Sequence, residues 1–313
     1  MLFRSMNITL HQLKVFAVIV DRKSITKAAG ELNMTQPAVS IQLKKLQDQF
    51  DIPLTEIIGR KIYITDFGQE LYRIVQKVLD EMDTIRYKAL DFKGILSGKL
   101  SVSVVSTGKY VLPYFLSGFL KANPAVDLRV DVTNRSKVIK SLEDNEVDFS
   151  LLSVLPSQLQ VMEEVLMPNK WYLVAPGDYP IAPRQSLAQS VFKDIPLIFR
   201  EEGSGTRYIM QQYFSQANVI PQLRLELASD EAVKQAVIAG LGLSILSILT
   251  LKNELKQKEV KIVPIKGLPL KSNWRLVWLK RKKPSMVAQA FLDYIRQEKS
   301  AIYKTNFSWI EQY

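Results

Sequence analysis

Residues 24–46, from Ser24 to Leu46, read SITKAAGELNMTQPAVSIQLKKL. Ser24 is a good N-cap for a helix over 25–32, and the Ala28-Ala29 pair lets another helix approach closely. Asn33-Met34 makes a short turn. Thr35 then caps a further helix with Pro37 in its first turn, where a missing N–H costs nothing. On that helix Val39, Leu43 and Leu46 share one face and can seal a core, while Gln36, Ser40 and Lys44 line the opposite one. The polar face holds groups that read DNA: Gln pairs bidentately with adenine, Ser with several base edges, Lys with phosphate or guanine. A merely solvated helix face has the same composition, so the flanking segments must decide.

Upstream, Leu10, Leu13, Phe16, Ala17 and Val20 recur at three and four spacing and predict an earlier helix. Downstream, Ile57 to Thr65 reads as two short strands joined at Gly59-Arg60-Lys61, a basic-tipped hairpin suited to a minor groove. Three helices followed by a hairpin specify a winged helix-turn-helix over residues 1–65. From Asp66 to Phe92 a long helix carries Leu71, Ile74, Val78, Met82 and Ile85 as one stripe. That stripe predicts a dimer seam over a linker helix, 66–93, with packing on its own domain as the competing reading.

Gly94 to Gly98 breaks the helical pattern and opens a second unit, 94–300. Leu100 to Val105 alternates as a strand, and Ser106-Thr107-Gly108-Lys109 opens a predicted helix reaching about Ala122. A strand, a hydroxyl-rich turn and a helix N-terminus make a ready anion site, since free N–H groups and the helix dipole point the same way. The pattern repeats: a strand over Ile195 to Phe199 is followed by Arg200-Glu201-Glu202-Gly203-Ser204-Gly205-Thr206-Arg207 and a helix from Tyr208 to Ala217. Glycines let the backbone curl around an oxyanion, hydroxyls donate, and the arginines add charge. Leu128 to Val132, Phe149 to Val154, Trp171 to Ala175 and Leu243 to Leu246 read as further strands, with Thr133-Asn134-Arg135 after the first and a helix over Glu231 to Ala239. The result is a two-lobed α/β domain with its ligand beyond the carboxyl ends of the strands. Lobe I spans about 94–167 and 267–300 and lobe II about 168–266; residues 301–313 stay unassigned.

Composition narrows the function. Cysteine is absent and histidine occurs once, as His11, which removes thiolate chemistry and Cys-ligated metals and weakens hydrolase readings. At a helix start His11 is expected to cap or pack. The formal charge of +11 favours a polyanionic partner or anionic ligands. Residues 1–65 hold nine Lys/Arg against five Asp/Glu, while residues 251–313 hold fourteen against five. The larger excess therefore lies outside the DNA-reading unit, and Lys280 to Lys283 reads as a solvated strand end or loop. Neither a secretory signal nor an apolar stretch of membrane-spanning length is present, so a cytoplasmic protein without membrane contact is expected.

The N-terminal motifs Phe16-Ala17-Val18, Ser24 to Ala29, Thr35-Gln36-Pro37-Ala38-Val39-Ser40 and Ile64-Thr65-Asp66-Phe67-Gly68 resemble the LysR-type transcriptional regulators. The C-terminal motifs Ser106 to Tyr110, Thr133-Asn134-Arg135, Arg200 to Arg207 and Glu231 to Val237 resemble most the activators of Calvin-cycle carbon-fixation operons. The likeness spans about residues 7–297. It implies base contacts at Gln36, Pro37 and Ser40, and a DNA-binding set of Ser24, Thr35, Gln36, Pro37, Ser40, Lys44, Arg60 and Lys61. It further implies an effector domain built like a type 2 periplasmic binding protein, with a phosphorylated or carboxylated effector. That effector would be held by Ser106, Thr107, Lys109, Asn134, Arg135, Arg200, Gly203, Ser204, Gly205, Thr206 and Arg207. A double-stranded operator, a homodimer assembling to a tetramer, and RNA polymerase are the implied partners; no cofactor, metal or catalytic residue is. Two positions depart from the family: Ile41 stands where Arg is common, and Thr55 where Phe is usual. An anion receptor or solute-binding protein is the rival reading, and an enzyme acting on an anion in the cleft a more distant one.

Overall fold

In the computed structural model, residues 7–59, 61–181 and 186–313 are described, and the chain divides into two compact units, Met1–Ile95 and Leu96–Tyr313. The first unit begins with α1 (Leu10–Arg22), α2 (Ile25–Glu31) and α3 (Gln36–Gln47). A hairpin of β1 (Thr55–Ile58) and β2 (Lys61–Ile64) follows, then α4 (Asp66–Asp91). Thr9, Ser24, Thr35 and Thr65 each cap the helix that follows, accepting from the backbone N–H three residues on. The core comprises Phe16, Ile19, Val20, Ala28, Val39, Leu46 and Leu54 with Val75 of α4.

Three expectations change here. Helix α1 buries Val15 and Ile19 as well as Phe16, Ala17 and Val20, whereas Leu10 is 44% exposed, because the helix is wedged between α3 and α4 rather than covered on one stripe. His11 is exposed and caps nothing; Thr9 and Gln12 form a reciprocal capping box in its place. On α4 the predicted stripe splits. Leu71, Val75 and Leu79 pack into the unit's own core, while Ile74, Met82 and Ile85 are exposed and Val78 half-buried. Leu71 thus belongs to the domain core, and the apolar stripe continues toward Ile85 beyond the point, near Leu79, where that core ends.

The second unit is built on a seven-stranded sheet in the order β10-β6-β11-β5-β3-β4, with β9 also pairing β6. Its strands are β3 (Gly98–Val105), β4 (Val126–Thr133), β5 (Phe149–Leu152), β6 (Val161–Pro176), β9 (Ser244–Ser247), β10 (Val260–Val263) and β11 (Leu270–Leu279). A parallel pair, β7 (Pro196–Arg200) and β8 (Gln222–Leu227), stands apart. The helices are α5 (Leu112–Ala122), α6 (Arg135–Glu143), α7 (Gly205–Ala217), α8 (Asp230–Ile238), α9 (Lys252–Gln257) and α10 (Met286–Asn306). Two lobes result, because β6 runs through both: Val161 to Trp171 pairs with β11, and Trp171 to Pro176 with β9 and β10. One core gathers around Phe115, Phe149, Trp274 and Phe291, the other around Phe192, Leu197, Met210 and Phe214.

The turn after β3 departs from the predicted helix. Ser106 to Tyr110 is a 3-10 turn, and α5 begins only at Leu112, with Pro113 in its first turn. In the opposite sense α7 starts at Gly205, three residues early, because Ser204 caps it by accepting from the Arg207 N–H at 3.0 Å. Residues 301–313 continue α10 and end in a further 3-10 turn with Phe307 and Ile310 buried against the first lobe's core. Lys282 is held by Asp148 at 3.2 Å and by the Val147 carbonyl at 2.8 Å, so that member of the basic run is anchored.

Glu164 on β6 accepts from Arg296 at 3.1 Å and from Lys299, both on α10. Burial alone would raise its pKa, but the two cations hold the carboxyl below the usual range. Glu164→Gln is expected to lower stability by about 1 kcal/mol near neutral pH. A carboxyl with a depressed folded pKa stabilises above its unfolded pKa and loses that contribution as pH falls through the folded one. The deficit should therefore shrink as the pH falls below the usual carboxylate range and through the depressed folded value, and an undiminished deficit in acid melts would refute the ion-pair account.

Candidate functional site

In the first unit, α3 presents Gln36, whose Nε2 donates to Ser40 Oγ at 3.1 Å, so the two side chains sit as one polar group. Ser40 and Lys44 border a surface depression of about 510 Å³ shared with Ile25, Thr55 and Ile57. Thr55 lines this depression at the foot of the wing. Ser24 and Thr35 have their hydroxyl oxygens engaged as caps, by Lys27 N–H at 3.3 Å and Ala38 N–H at 3.4 Å. Lys61 opens β2 and is exposed; Gly59 makes the preceding turn with φ of +56°. Arg60 lies outside the described residues.

In the second unit the cleft between the lobes is lined by Ser106, Thr107, Arg135, Arg200, Gly205 and Thr206, with Trp171 and Trp274 at its base. Its free volume is about 10 Å³, the space of one water. The donors converge on a residue the sequence reading left out, Asp230. Ser106 and Thr107 donate to its Oδ2 at 2.9 and 3.1 Å, Thr206 to its Oδ1 at 3.4 Å, and Arg200 Nη1 forms an ion pair with that same Oδ1. Arg200 also pairs with Glu201 at 2.8 Å. Burial alone would lower the Arg200 pKa, but Asp230 and Glu201 outweigh it and raise the value. Asp230 opens α8 just after its cap Ser229, and that Ser-Asp pair before a helical run was the available signal.

Arg135 differs from Arg200. Burial lowers its pKa, its guanidinium lies 4.5 Å from the Tyr208 ring centroid, and Nη2 donates to the Leu155 carbonyl at 3.3 Å. It has no carboxylate partner among the described residues, and its Nε is buried without a hydrogen bond, as is Trp274 Nε1 nearby. The cleft mouth is bridged where Ser136 N–H donates to Gly203 O at 3.1 Å. Gly203 has φ of +81°, and a Cβ there would lie 2.7 Å from Ser136 Oγ.

The remaining candidates are placed otherwise. Asn134 caps α6 through Oδ1, accepting from Lys137 N–H at 3.1 Å, and Ser204 caps α7. Arg207 is paired with Glu202 at 2.6 Å and with Glu226, and donates to the Arg200 carbonyl at 2.9 Å. Lys109 lies over the Tyr110 ring, outside the cleft lining. Among the described residues no His, Asp or Glu cluster could hold a metal, and no helix is long and apolar enough to cross a membrane.

A family model described as the LysR substrate binding domain matches residues 93–300, and one described as the bacterial regulatory helix-turn-helix protein, lysR family, matches residues 10–69. The chain is 36% identical over 296 residues to the HTH-type transcriptional activator CmpR of Synechocystis sp., covering 95% of this chain and 97% of that protein. It is 36% identical over 287 residues to the RuBisCO operon transcriptional regulator of Acidithiobacillus ferrooxidans, covering 92% and 93%. Among solved structures, the Synechocystis PCC6803 CcmR regulatory domain in complex with 2-PG matches with a TM-score of 0.62 at 33% identity, covering 65% of this chain and 98% of that one. Full-length CbnR complexed with its target DNA matches at 0.71 with 18% identity, covering 93% and 99%, a likeness of fold. The winged helix and the two-lobed domain with a buried Asp230 carboxylate in its cleft therefore have one explanation: this chain belongs to the LysR family of transcriptional regulators.

Proposed function

We propose that this regulator senses a small phosphorylated or carboxylated metabolite, of the 2-phosphoglycolate class, in the cleft between the lobes of its second unit. The observation that carries the reading is the convergence of Ser106, Thr107, Thr206 and Arg200 on the Asp230 carboxylate, a set of donors of the kind an oxyanion site needs. The CcmR complex with 2-PG, at 33% identity, supports the same class. Arg135, without a carboxylate of its own, and the unpaired Trp274 Nε1 are the groups that an incoming anion would satisfy first. Ser106, Thr107, Arg135, Arg200, Gly205 and Thr206 line the cleft, with Gly203 beside Ser136 and Asn134 next to it; Lys109 and Arg207 would have to leave Tyr110 and the Glu202–Glu226 pair before they could reach a ligand. With room for about one water, the lobes must part to admit a ligand, and a ligand shifts that equilibrium only by its differential affinity for the two states.

The DNA side of the reading is a cytoplasmic dimer, further assembled to a tetramer, that addresses operator half-sites through Gln36, Pro37, Ser40 and Lys44 with the wing at Arg60 and Lys61. RNA polymerase is a further partner of an activator of this kind, and the cleft binds its ligand without transforming it. Residues 1–65 would read DNA, 66–93 dimerise and 94–300 sense. The exposed Ile74, Met82 and Ile85 supply the seam. Ile85→Glu, at an exposed position, should leave the helical content of the first unit unchanged and shift the assembly toward smaller species by sedimentation; parental sedimentation would show that the seam lies elsewhere.

Calorimetric titration of the full chain with 2-phosphoglycolate, other phosphorylated acids, dicarboxylates and neutral sugars tests the effector. Anions should bind and sugars should not, and Thr107→Val should weaken binding by about tenfold or more, as expected for one charge-assisted hydrogen bond. Binding of neutral sugars alone, or of no anion at all, would overturn the assignment.

A further inference from the structure

Ile41 is 52% exposed near the middle of α3. It lies two positions after the fully buried Val39, which places it about 200° round the helix from the residue that anchors α3 to its core. Pro37 precedes it by one turn, and Lys44 and Lys45 follow by one turn, so all four share the outward side. The Gln36–Ser40 pair flanks this side. The centre of the outward face is therefore apolar, with hydrogen-bonding groups on one flank and cations beyond.

A β-branched side chain is a poor helix former at an exposed site, since it loses rotamer freedom against the preceding turn. An exposed aliphatic elsewhere on a surface would carry no message. Here it occupies the part of the recognition helix that faces base edges once α3 enters a major groove. Arg, common at this position in the family, would seek guanine acceptors. Isoleucine offers no hydrogen bond, and the apolar group that a major groove displays is the thymine 5-methyl.

We propose that Ile41, with Pro37 beside it, forms an apolar patch that reads a thymine 5-methyl group in each operator half-site. The proposal rests on the DNA-binding reading of the first unit. It makes Ile41 a specificity-determining residue, and predicts a required thymine where an arginine-bearing relative would favour guanine.

The test uses the full chain and a DNA fragment from upstream of its gene, with each thymine of the protected region replaced in turn by deoxyuridine. Deoxyuridine pairs as thymine does and lacks only the methyl. Wild type should lose about fourfold in affinity at one position per half-site, the transfer value of one buried carbon. Ile41→Ala should be weaker on the unmodified fragment by a similar or larger factor, yet indifferent to deoxyuridine at that same position, while Ile41→Val keeps the sensitivity. Since Ile41 is outside the core, the variants should melt as the parent does. If every deoxyuridine affects wild type and Ile41→Ala alike, or if Ile41→Ala binds as well as the parent, the proposal fails and the DNA-binding reading stands. Should wild type fail to prefer the thymine-bearing fragment over scrambled DNA, the DNA-binding reading fails and takes this proposal with it.

Discussion

Arg200→Met is expected to destabilise the second unit by about 3–5 kcal/mol, because it strands a buried carboxylate without its counter-ion. Arg200 and Asp230 are each 2% exposed, and the guanidinium is the positive charge in contact with that carboxylate. Ser106 and Thr107 would still donate to Asp230, but neutral hydroxyls do not offset a buried charge. Asp230→Asn should cost less, since Arg200 keeps Glu201 at 2.8 Å. Combining the two removes both charges, and the pair should recover most of the stability lost by Arg200→Met, a coupling that a double-mutant cycle of urea unfolding measures. Simple additivity would mean that the two groups do not act as a pair.

The same cycle separates support from recognition. Arg200→Met alone should weaken anion binding at least tenfold, but a loosened domain would do so too. In the stabilised double variant the distinction appears: if Arg200 only braces the cleft, binding returns, and if it touches the ligand, binding stays weak. Asp230 also competes for the donors. The Ser106, Thr107 and Thr206 hydroxyls that would bind an effector already serve a carboxylate of the chain itself, so part of the effector's affinity is spent on displacing it. Arg135 escapes that competition.

How much of this was legible in the sequence depends on the range of the contact. Helix caps are local, and Ser24 and Thr35 were read as caps because each bonds a backbone N–H three residues on, whereas Ser204 and Asn134, which cap in the same way, were read as ligand donors because a turn hydroxyl or amide suits either role. The turn at Ser106 was misread as a helix start because Pro113, seven residues later, sets where α5 begins. Trp171 to Ala175 reads as a short strand from its own composition. Its extension back to Val161 depends on pairing with Leu270 to Leu279, a partner about a hundred residues away with a register shift at Trp274/Arg275. Asp230 was missed for the same reason: its partners Ser106 and Arg200 are 124 and 30 positions away, and nothing nearby in sequence shows that an N-terminal helix carboxylate will be buried. The split stripe on α4 is the converse case. Its period was right, but period alone cannot say where a helix leaves its own core.

Gly68→Ala is expected to cost the first unit about 3 kcal/mol and with it operator binding, although alanine is the better helix former by about 1 kcal/mol. A Cβ at Gly68, in the first turn of α4, would lie 2.1 Å from the Leu54 carbonyl oxygen and 3.0 Å from Ile64 Cγ2. The obstacle is backbone, and that backbone is fixed. The Leu54 oxygen accepts from Thr65 N–H at 3.1 Å, Thr65 Oγ1 donates to the Pro53 carbonyl at 2.6 Å, and the same Oγ1 accepts from Gly68 N–H at 3.0 Å. Relief by moving α4 away would break the cap of α4 and the tie between the segment before the wing and the helix after it. Leu54 itself is fully buried in the unit's core, so moving it inward is no easier. The steric term therefore exceeds the gain in helix propensity, which accounts physically for a glycine in the Thr65-Asp66-Phe67-Gly68 motif. Thermal unfolding should show an earlier loss of first-unit structure with operator binding lost in parallel, while calorimetric titration of the effector is unaltered. A variant that melts at or above the parental temperature would mean that this joint yields where its hydrogen bonds say it should hold.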